Sequence, residues 1–291
     1  MINPVCNWLC RAAFVGAVSI GLSTVSAGFA QADDQMAAVG DQQRINLEAV
    51  IANGAKTLKD KISFTVSRFE NGGVGPIVAT AEKSPAELSL PAGQYRVSTV
   101  YGDVTVDSNL EVASSAVKHR VNLNAGWVRL KVIPHRGAKP MKGDVSWEVM
   151  TYGRDANGKR HRVATANGPR PSLVLPEGFY LVRAKTRDAR VKHTIEVTAG
   201  HTYKYTLNMN AGSLHTSALT HDGGLFASDE VTWEVYRKGG KRVLSSITGA
   251  TGTFTLREGS YRIVATSGEM TSSTDVAVRS GNSRKVNLTL R

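Results

Sequence analysis

Seven histidines are the residues that would be most useful to an enzyme or a metal site, and they are scattered along the chain. None has the His-Glu-x-x-His spacing that brings two imidazoles together on one helix face to bind zinc. His221 beside Asp222 and His193 near Glu196 are possible imidazole–carboxylate pairs, although a lone histidine in a surface loop is usually just solvated. Nucleophile-elbow, phosphate-loop and calcium-loop signatures are missing from the sequence. We therefore predict no catalytic residue, no metal and no cofactor, with an enzyme of dispersed site as the weakest alternative.

Basic side chains are the second group with potential chemistry, and they are concentrated in residues 126–211. That stretch holds 16 Lys or Arg against 6 Asp or Glu, whereas residues 33–125 hold 9 against 11 and residues 212–291 hold 10 against 7. The candidate polyanion-binding residues are Arg183, Lys185, Arg187, Arg190, Lys192, Lys159, Arg160 and Arg162. Such a patch would bind lipid phosphate, acidic polysaccharide or an acidic partner protein. The alternative is a solvated face that only keeps the protein soluble.

Three sequence markers recur in the same order and define a repeat of about 80 to 86 residues, the size of a small domain. A glycine followed two residues later by tyrosine occurs at Gly93 and Tyr95, Gly178 and Tyr180, and Gly259 and Tyr261. An aromatic residue precedes each pair, at Phe64, Trp147 and Trp233. A Val/Leu/Met-Asn-rich segment closes each unit, at 121–126, 207–212 and 286–290. Together these markers predict three copies of one domain.

Within each copy, apolar residues alternate with polar ones, which is typical of β-strands with one buried face. Tyr180, Val182 and Ala184 share one face, so Arg183 and Lys185 point outward. About seven short strands separated by Gly- and Asn-containing turns predict an antiparallel β-sandwich in each copy. The predicted fold class is all-β, with three tandem antiparallel Ig-like β-sandwich domains after an N-terminal signal peptide.

The Gly-x-Tyr marker predicts a tyrosine corner, in which the ring is buried and the hydroxyl reaches back to the preceding backbone. The three tyrosines and the three preceding aromatics are therefore predicted as core rather than as ligand platforms. Leu-Pro-x-Gly-x-Tyr followed by an alternating strand resembles bacterial immunoglobulin-like and carboxypeptidase-regulatory-like (prealbumin-type) repeats, over residues 44–291. In the third copy Arg257 replaces the proline. The resemblance implies spacer, adhesion or protein-binding roles, but a shared fold does not transfer function.

The first 32 residues are predicted to be a cleaved signal peptide. Arg11 precedes an apolar run rich in small residues, and Ala30-Gln31-Ala32 fits the small-x-small cleavage pattern, so cleavage is predicted after Ala32. Both cysteines, Cys6 and Cys10, lie inside this segment, so we expect no disulfide in the mature chain. No later segment is long and apolar enough to span a bilayer, and the predicted location is periplasmic or extracellular.

The predicted domains are the signal peptide at 1–32, repeat 1 at 33–125, the basic repeat 2 at 126–211 and repeat 3 at 212–291. No Ser- or Pro-rich linker separates them, so we predict a fairly stiff succession with small hinges at Gly126 and Gly212.

The sequence favours an exported, non-enzymatic envelope protein that serves as a structural or protein-interaction module. The alternative is a polyanion- or glycan-binding module that uses the basic face of repeat 2. The expected partner is an envelope protein or an anionic envelope component, either lipid phosphate or polysaccharide. Nucleic acid is not expected, because the basic cluster lacks interleaved aromatic residues for base stacking.

Overall fold

The computed structural model describes residues 41–291 except Asn71 and Ser228. The predicted signal peptide, with Cys6 and Cys10, lies outside the described residues. The described residues belong to one compact unit and contain 21 β-strands and no helix. The described part of the chain accordingly offers no helix that is long and apolar enough to cross a membrane.

Each repeat contributes seven strands. Repeat 1 contains β1 (Gln43–Val50), β2 (Ser63–Glu70), β3 (Gly73–Ala81), β4 (Ala86–Leu90), β5 (Gly93–Tyr101), β6 (Val104–Val112) and β7 (Val117–Asn122). Repeat 2 contains β8 (Ala125–Ile133), β9 (Ser146–Thr151), β10 (Arg162–Asn167), β11 (Ser172–Pro176), β12 (Gly178–Lys185), β13 (Arg190–Val197) and β14 (Thr202–Asn208). Repeat 3 contains β15 (Ala211–Leu219), β16 (Thr232–Arg237), β17 (Val243–Thr248), β18 (Thr251–Arg257), β19 (Gly259–Ser267), β20 (Met270–Val278) and β21 (Ser283–Thr289).

In every repeat the strands form a three-stranded and a four-stranded sheet. The orders are β4-β1-β7 with β3-β2-β5-β6, β11-β8-β14 with β10-β9-β12-β13, and β18-β15-β21 with β17-β16-β19-β20. All pairs are antiparallel except the first and last strands of each repeat, which are parallel. The predicted class of three tandem β-sandwiches is confirmed. Because its first and last strands are parallel, each repeat enters at one end of the sandwich and leaves at the other, so the next can follow directly.

The core of each repeat lies between its two sheets and contains the marker aromatics. The hydroxyls of Tyr95, Tyr180 and Tyr261 donate to the carbonyl four residues earlier, at 2.7, 2.7 and 2.6 Å. All three rings are buried. The indoles of Trp147 and Trp233 donate to backbone carbonyls at 2.8 and 2.9 Å. Buried polar atoms of large aromatic side chains need such partners. The repeated aromatic residues therefore fill the core with apolar surface, and their hydrogen bonds fix the orientation of the rings.

The connections between repeats are only two residues long. Asn124 and Asn210 turn the chain with φ of 46° and 49°, and the Asn-Ala-Gly segment continues directly into the next repeat's first strand. Gly126 and Gly212 lie inside those strands, where a Cβ would collide with the backbone oxygen of Thr198 and of Arg279, respectively. Close packing, rather than hinge bending, is what requires glycine at both positions.

Candidate functional site

Five of the predicted basic residues lie on the outer face of the four-stranded sheet of repeat 2. Strand register places Lys185 opposite Arg190, and Arg183 opposite Lys192, in neighbouring rows of that face. Their side chains point outward because the alternate residues Val182 and Ala184 are buried between the sheets. With Arg162 on β10, these residues are called the basic face, which consists of Arg162, Arg183, Lys185, Arg190 and Lys192.

One carboxylate, that of Glu148 on β9, partly neutralises the basic face. It lies 2.7 Å from Nη1 of Arg183 and 3.4 Å from Nε of Arg162. Among the described residues, no carboxylate lies within ion-pair distance of Lys185, Arg190 or Lys192. Exposed charges of one sign on a rigid sheet raise the local concentration of anions in low salt. Such an arrangement would attract an anionic surface or chain at low ionic strength.

The basic turn between β9 and β10 lies at the other end of the same sheet, since Thr151 pairs with Tyr180 whereas Ser146 pairs with Lys185. Arg160 donates to the carbonyl of Thr151 at 3.0 Å and lies over the ring of Tyr152. The backbone amide of Lys159 donates to Asp155. The structure thus separates Lys159 and Arg160 from the residues at the end of β12.

Arg187, in the turn between β12 and β13, lies at the junction with repeat 3. Its guanidinium binds the carboxylate of Asp188 at 2.7 and 3.0 Å and donates to the carbonyl of Thr253 at 2.6 Å. The hydrogen bond to Asp188 raises the pKa of Arg187, so the guanidinium stays protonated. The side chain of Asp188 is 5% exposed. It accepts from Ser245 on β17 at 2.6 Å and from the amide of Thr255 on β18 at 3.0 Å.

The junction between repeats 1 and 2 uses the equivalent turn. Gly102, between β5 and β6, approaches Val174 on β11 so closely that a Cβ would lie 3.4 Å from the valine. Val174 and Trp127 of repeat 2 pack against the hydrophobic core of repeat 1. Both junctions therefore place the β5–β6 type of turn on the sheet-edge strand that precedes the tyrosine corner of the next repeat.

The structure separates one of the two possible histidine–carboxylate pairs. His193 pairs with Val182 and Glu196 with Phe179, so the two side chains lie on opposite faces of β13. Asp222 accepts a hydrogen bond from Thr220, which lowers its pKa. Within the described ranges, no group of three or more His, Cys, Asp or Glu is placed to hold a metal ion.

Reasoning from the sequence missed three arginines of repeat 3, Arg237, Arg242 and Arg257, which line a cleft together with the end of the basic face. They lie more than 45 residues away from Lys185 and Arg190 in the sequence, in a repeat whose net charge is small. No local signal could have grouped them with repeat 2, because only the junction between repeats brings them near it.

Two of the three repeats match a known family model. The Rhizobiales growth-associated tandem repeat domain matches residues 127–208 and 218–290, which together exceed half of the chain. Repeat 1 lies outside this match but has the same seven strands in the same sheet order. No curated protein matches the chain.

Several solved structures are similar at low sequence identity. GBS52, the minor pilin of Streptococcus agalactiae, is 12% identical with a TM-score of 0.32 over 57% of this chain and 95% of its own. BcpA, the major pilin subunit of Bacillus cereus, is 10% identical with a TM-score of 0.25 over 86% of this chain and 99% of its own. The Bacillus anthracis TIE protein is 15% identical with a TM-score of 0.25 over 86% of this chain, which spans about half of its length, 51%. These likenesses concern the fold alone.

Proposed function

The chain belongs to the Rhizobiales growth-associated tandem repeat family, and on that premise we propose that it is an exported, non-enzymatic envelope protein that acts as a structural and protein-interaction module. The location proposed is periplasmic or extracellular. The observation that carries the proposal is the way in which successive repeats dock, with a turn of one repeat seated on the sheet edge of the next.

Docking of this kind supports a structural role because it sets the spacing and orientation of neighbouring repeats. The Asp188 carboxylate joins both edge strands, β17 and β18, of repeat 3. Two-residue connections leave little chain to bend between repeats. A flexible Gly/Ser linker would instead let the domains move independently.

The protein-interaction role is supported by the edge of repeat 1. In repeat 3 the strand that corresponds to β3 receives the turn of the preceding repeat, since Asp188 accepts a hydrogen bond from Ser245 on β17. On edge strand β3 of repeat 1, Val74 is 63%, Ile77 is 63% and Val78 is 40% exposed. Natural proteins normally protect apolar sheet edges, and extended partners add to open ones. The occupant we propose is the β19–β20 turn of repeat 3, Gly268–Glu269, from a second copy of the chain, because it is equivalent to the β12–β13 turn that docks on repeat 3.

Sedimentation velocity across a concentration series tests this docking. We expect reversible association of the wild-type chain and its loss in Ile77→Lys, because the lysine would place a charge in the contact. Leu225→Lys, at an exposed leucine of repeat 3, is the matched control and should associate like the wild type. A monomeric wild-type chain, or equal effects of the two variants, would contradict self-docking.

A second candidate function is polyanion or glycan binding by the basic face of repeat 2. The positions equivalent to Arg183, Lys185, Arg190 and Lys192 are Ser98, Val100, Thr105 and Asp107 in repeat 1, and Val264, Thr266, Thr271 and Ser273 in repeat 3. The sandwich forms in all three repeats, so the fold does not require the cations. Lipid phosphate and acidic polysaccharide are the two envelope polyanions to test.

Binding of the chain to anionic phospholipid vesicles and to an acidic polysaccharide should weaken steeply with salt. The variant Arg183→Glu/Lys185→Glu/Lys192→Glu should abolish it. Arg279→Glu/Arg284→Glu/Lys285→Glu, which makes the same change in charge on repeat 3, should retain most binding. Equal losses in both variants would indicate a general charge effect, and unchanged binding in the first would leave the face a solubilising surface.

A further inference from the structure

A cleft of about 340 Å³ opens where the β12–β13 turn of repeat 2 meets the edge of repeat 3. Cations line it from both repeats. They are Lys185, Arg187 and Arg190 from repeat 2, and Arg237, Arg242 and Arg257 from repeat 3. Among the described residues that line the cleft, Asp188 supplies the only carboxylate, so its lining carries a net positive charge.

Asp188 neutralises Arg187 alone among these cations. Its two oxygens are occupied by Arg187, by the hydroxyl of Ser245 and by the amide of Thr255. Arg237 lies over the ring of Tyr261, with 4.8 Å between its Cζ and the ring centroid. That stacking orients the guanidinium without removing its charge. Five cations other than Arg187 thus remain without an ion-pair partner among the described residues.

The junction between repeats 1 and 2 serves as an internal comparison. It uses the same turn-on-edge docking. The positions equivalent to Lys185, Arg190, Arg237 and Arg257 are Val100, Thr105, Thr151 and Pro176. None of the four is charged, whereas Arg242 corresponds to His161 in the basic β9–β10 turn, so docking does not need cations at these four positions. Like charges gathered around one cleft repel each other. The arginines therefore do not serve to stabilise the docking of the two repeats by themselves.

We propose that this cleft is a binding site for a compact phosphate-bearing ligand that bridges repeats 2 and 3. Guanidinium groups donate paired hydrogen bonds that match the oxygens of a phosphate, and four of the five free cations are arginines. A volume of about 340 Å³ suits a small phosphorylated group rather than a long chain. A phosphorylated sugar and a phospholipid headgroup share this chemistry. Because Lys185 and Arg190 belong to both surfaces, the proposal rests in part on the polyanion-binding function of the basic face.

A ligand held from both sides would also stabilise the junction. It binds only when the β12–β13 turn is seated on repeat 3, so binding favours the docked arrangement. Occupancy should therefore slow hydrogen exchange at the Thr255 amide, which is bonded to Asp188 across the junction. This readout distinguishes a bridging ligand from one that is only attracted to the surface.

Titration calorimetry of the full chain with pyrophosphate at low ionic strength tests the site. We expect binding by the wild type and a loss of roughly tenfold or more in Arg242→Gln/Arg257→Gln, since each removes charge-assisted hydrogen bonds to phosphate. Arg284→Gln/Lys285→Gln on β21 is the control with the same change in charge and should bind like the wild type. Circular dichroism of each variant confirms that the β-structure is retained.

A third variant, Arg183→Gln/Lys192→Gln, separates the cleft from the rest of the basic face. We expect it to weaken polysaccharide binding and to leave pyrophosphate affinity within about twofold of wild type. If it weakens pyrophosphate binding as much as the cleft variant does, the cleft proposal is wrong while polyanion binding stands. Absence of pyrophosphate binding in the wild type, or of added protection at Thr255, would also overturn it. Competition between pyrophosphate and anionic phospholipid vesicles identifies a lipid source, and lack of competition identifies a soluble one.

Discussion

Replacing Asp188 with asparagine perturbs the junction between repeats 2 and 3 while keeping the side chain's shape. The carboxylate accepts from Arg187, from Ser245 at 2.6 Å and from the Thr255 amide at 3.0 Å. An asparagine amide group has only one acceptor oxygen, so at least one donor would face an NH₂ group. Losing one charge-assisted bond costs about 2 kcal/mol and leaving one buried donor unpaired about 1 kcal/mol. The junction should therefore open more easily by about 3 kcal/mol.

Native-state hydrogen exchange at Thr255 measures this opening directly. About 3 kcal/mol corresponds to roughly a hundredfold faster exchange, provided that exchange proceeds through opening of the junction. Asp103→Asn, at the equivalent turn of repeat 1, is the matched control, because the described residues provide no hydrogen bond from repeat 2 to that carboxylate. A double-mutant cycle with Ser245→Ala should show coupling between the two sites. Unchanged protection at Thr255 in Asp188→Asn, or an equal effect of Asp103→Asn, would refute the argument.

Three further predictions concern the stability of individual repeats. Tyr180→Phe removes the tyrosine-corner hydrogen bond and should lower the free energy of unfolding by about 1 kcal/mol, measured by urea denaturation. Gly212→Ala should destabilise repeat 3 by about 3 kcal/mol in the same assay, because its Cβ meets backbone oxygens, whereas Gly143→Ala, with open space around it, should change little. Burial lowers the pKa of His119 below its usual 6.5, so the unfolded chain takes up a proton first and stability should fall as the pH drops through that value. His119→Gln should flatten this pH dependence, and a profile with the same slope in the variant would assign it to another group.

The interior of each repeat could be predicted from local pattern. Alternation around Tyr180 and Trp147 indicated which residues face inward, because successive side chains of a strand point to opposite sides. The same rule placed Arg183 and Lys185 on the outer face, where the register puts them. The side of the sheet on which His193 lies could not be predicted in this way. It follows from the pairing of His193 with Val182, and that pairing depends on the length of the preceding turn.

Only part of the candidate site, the basic face, could be predicted from the sequence. Residues of one sheet can be grouped by strand alternation, so the basic face emerged from repeat 2 alone. Arg187 was grouped with that face by its charge, whereas its hydrogen bond to Thr253 belongs to contact with another repeat. The cleft arginines were missed for the same reason.

What the sequence by itself determined is the repeat, its seven strands and its core, because these depend on side-chain periodicity and turn chemistry within some 80 residues. What only the tertiary structure decided is how one repeat meets the next. The parallel first and last strands, the seat of Asp188 across β17 and β18, and the cations gathered around the cleft all depend on contacts between distant segments. Such contacts leave no period in the sequence, since each involves single residues placed by the packing of whole domains.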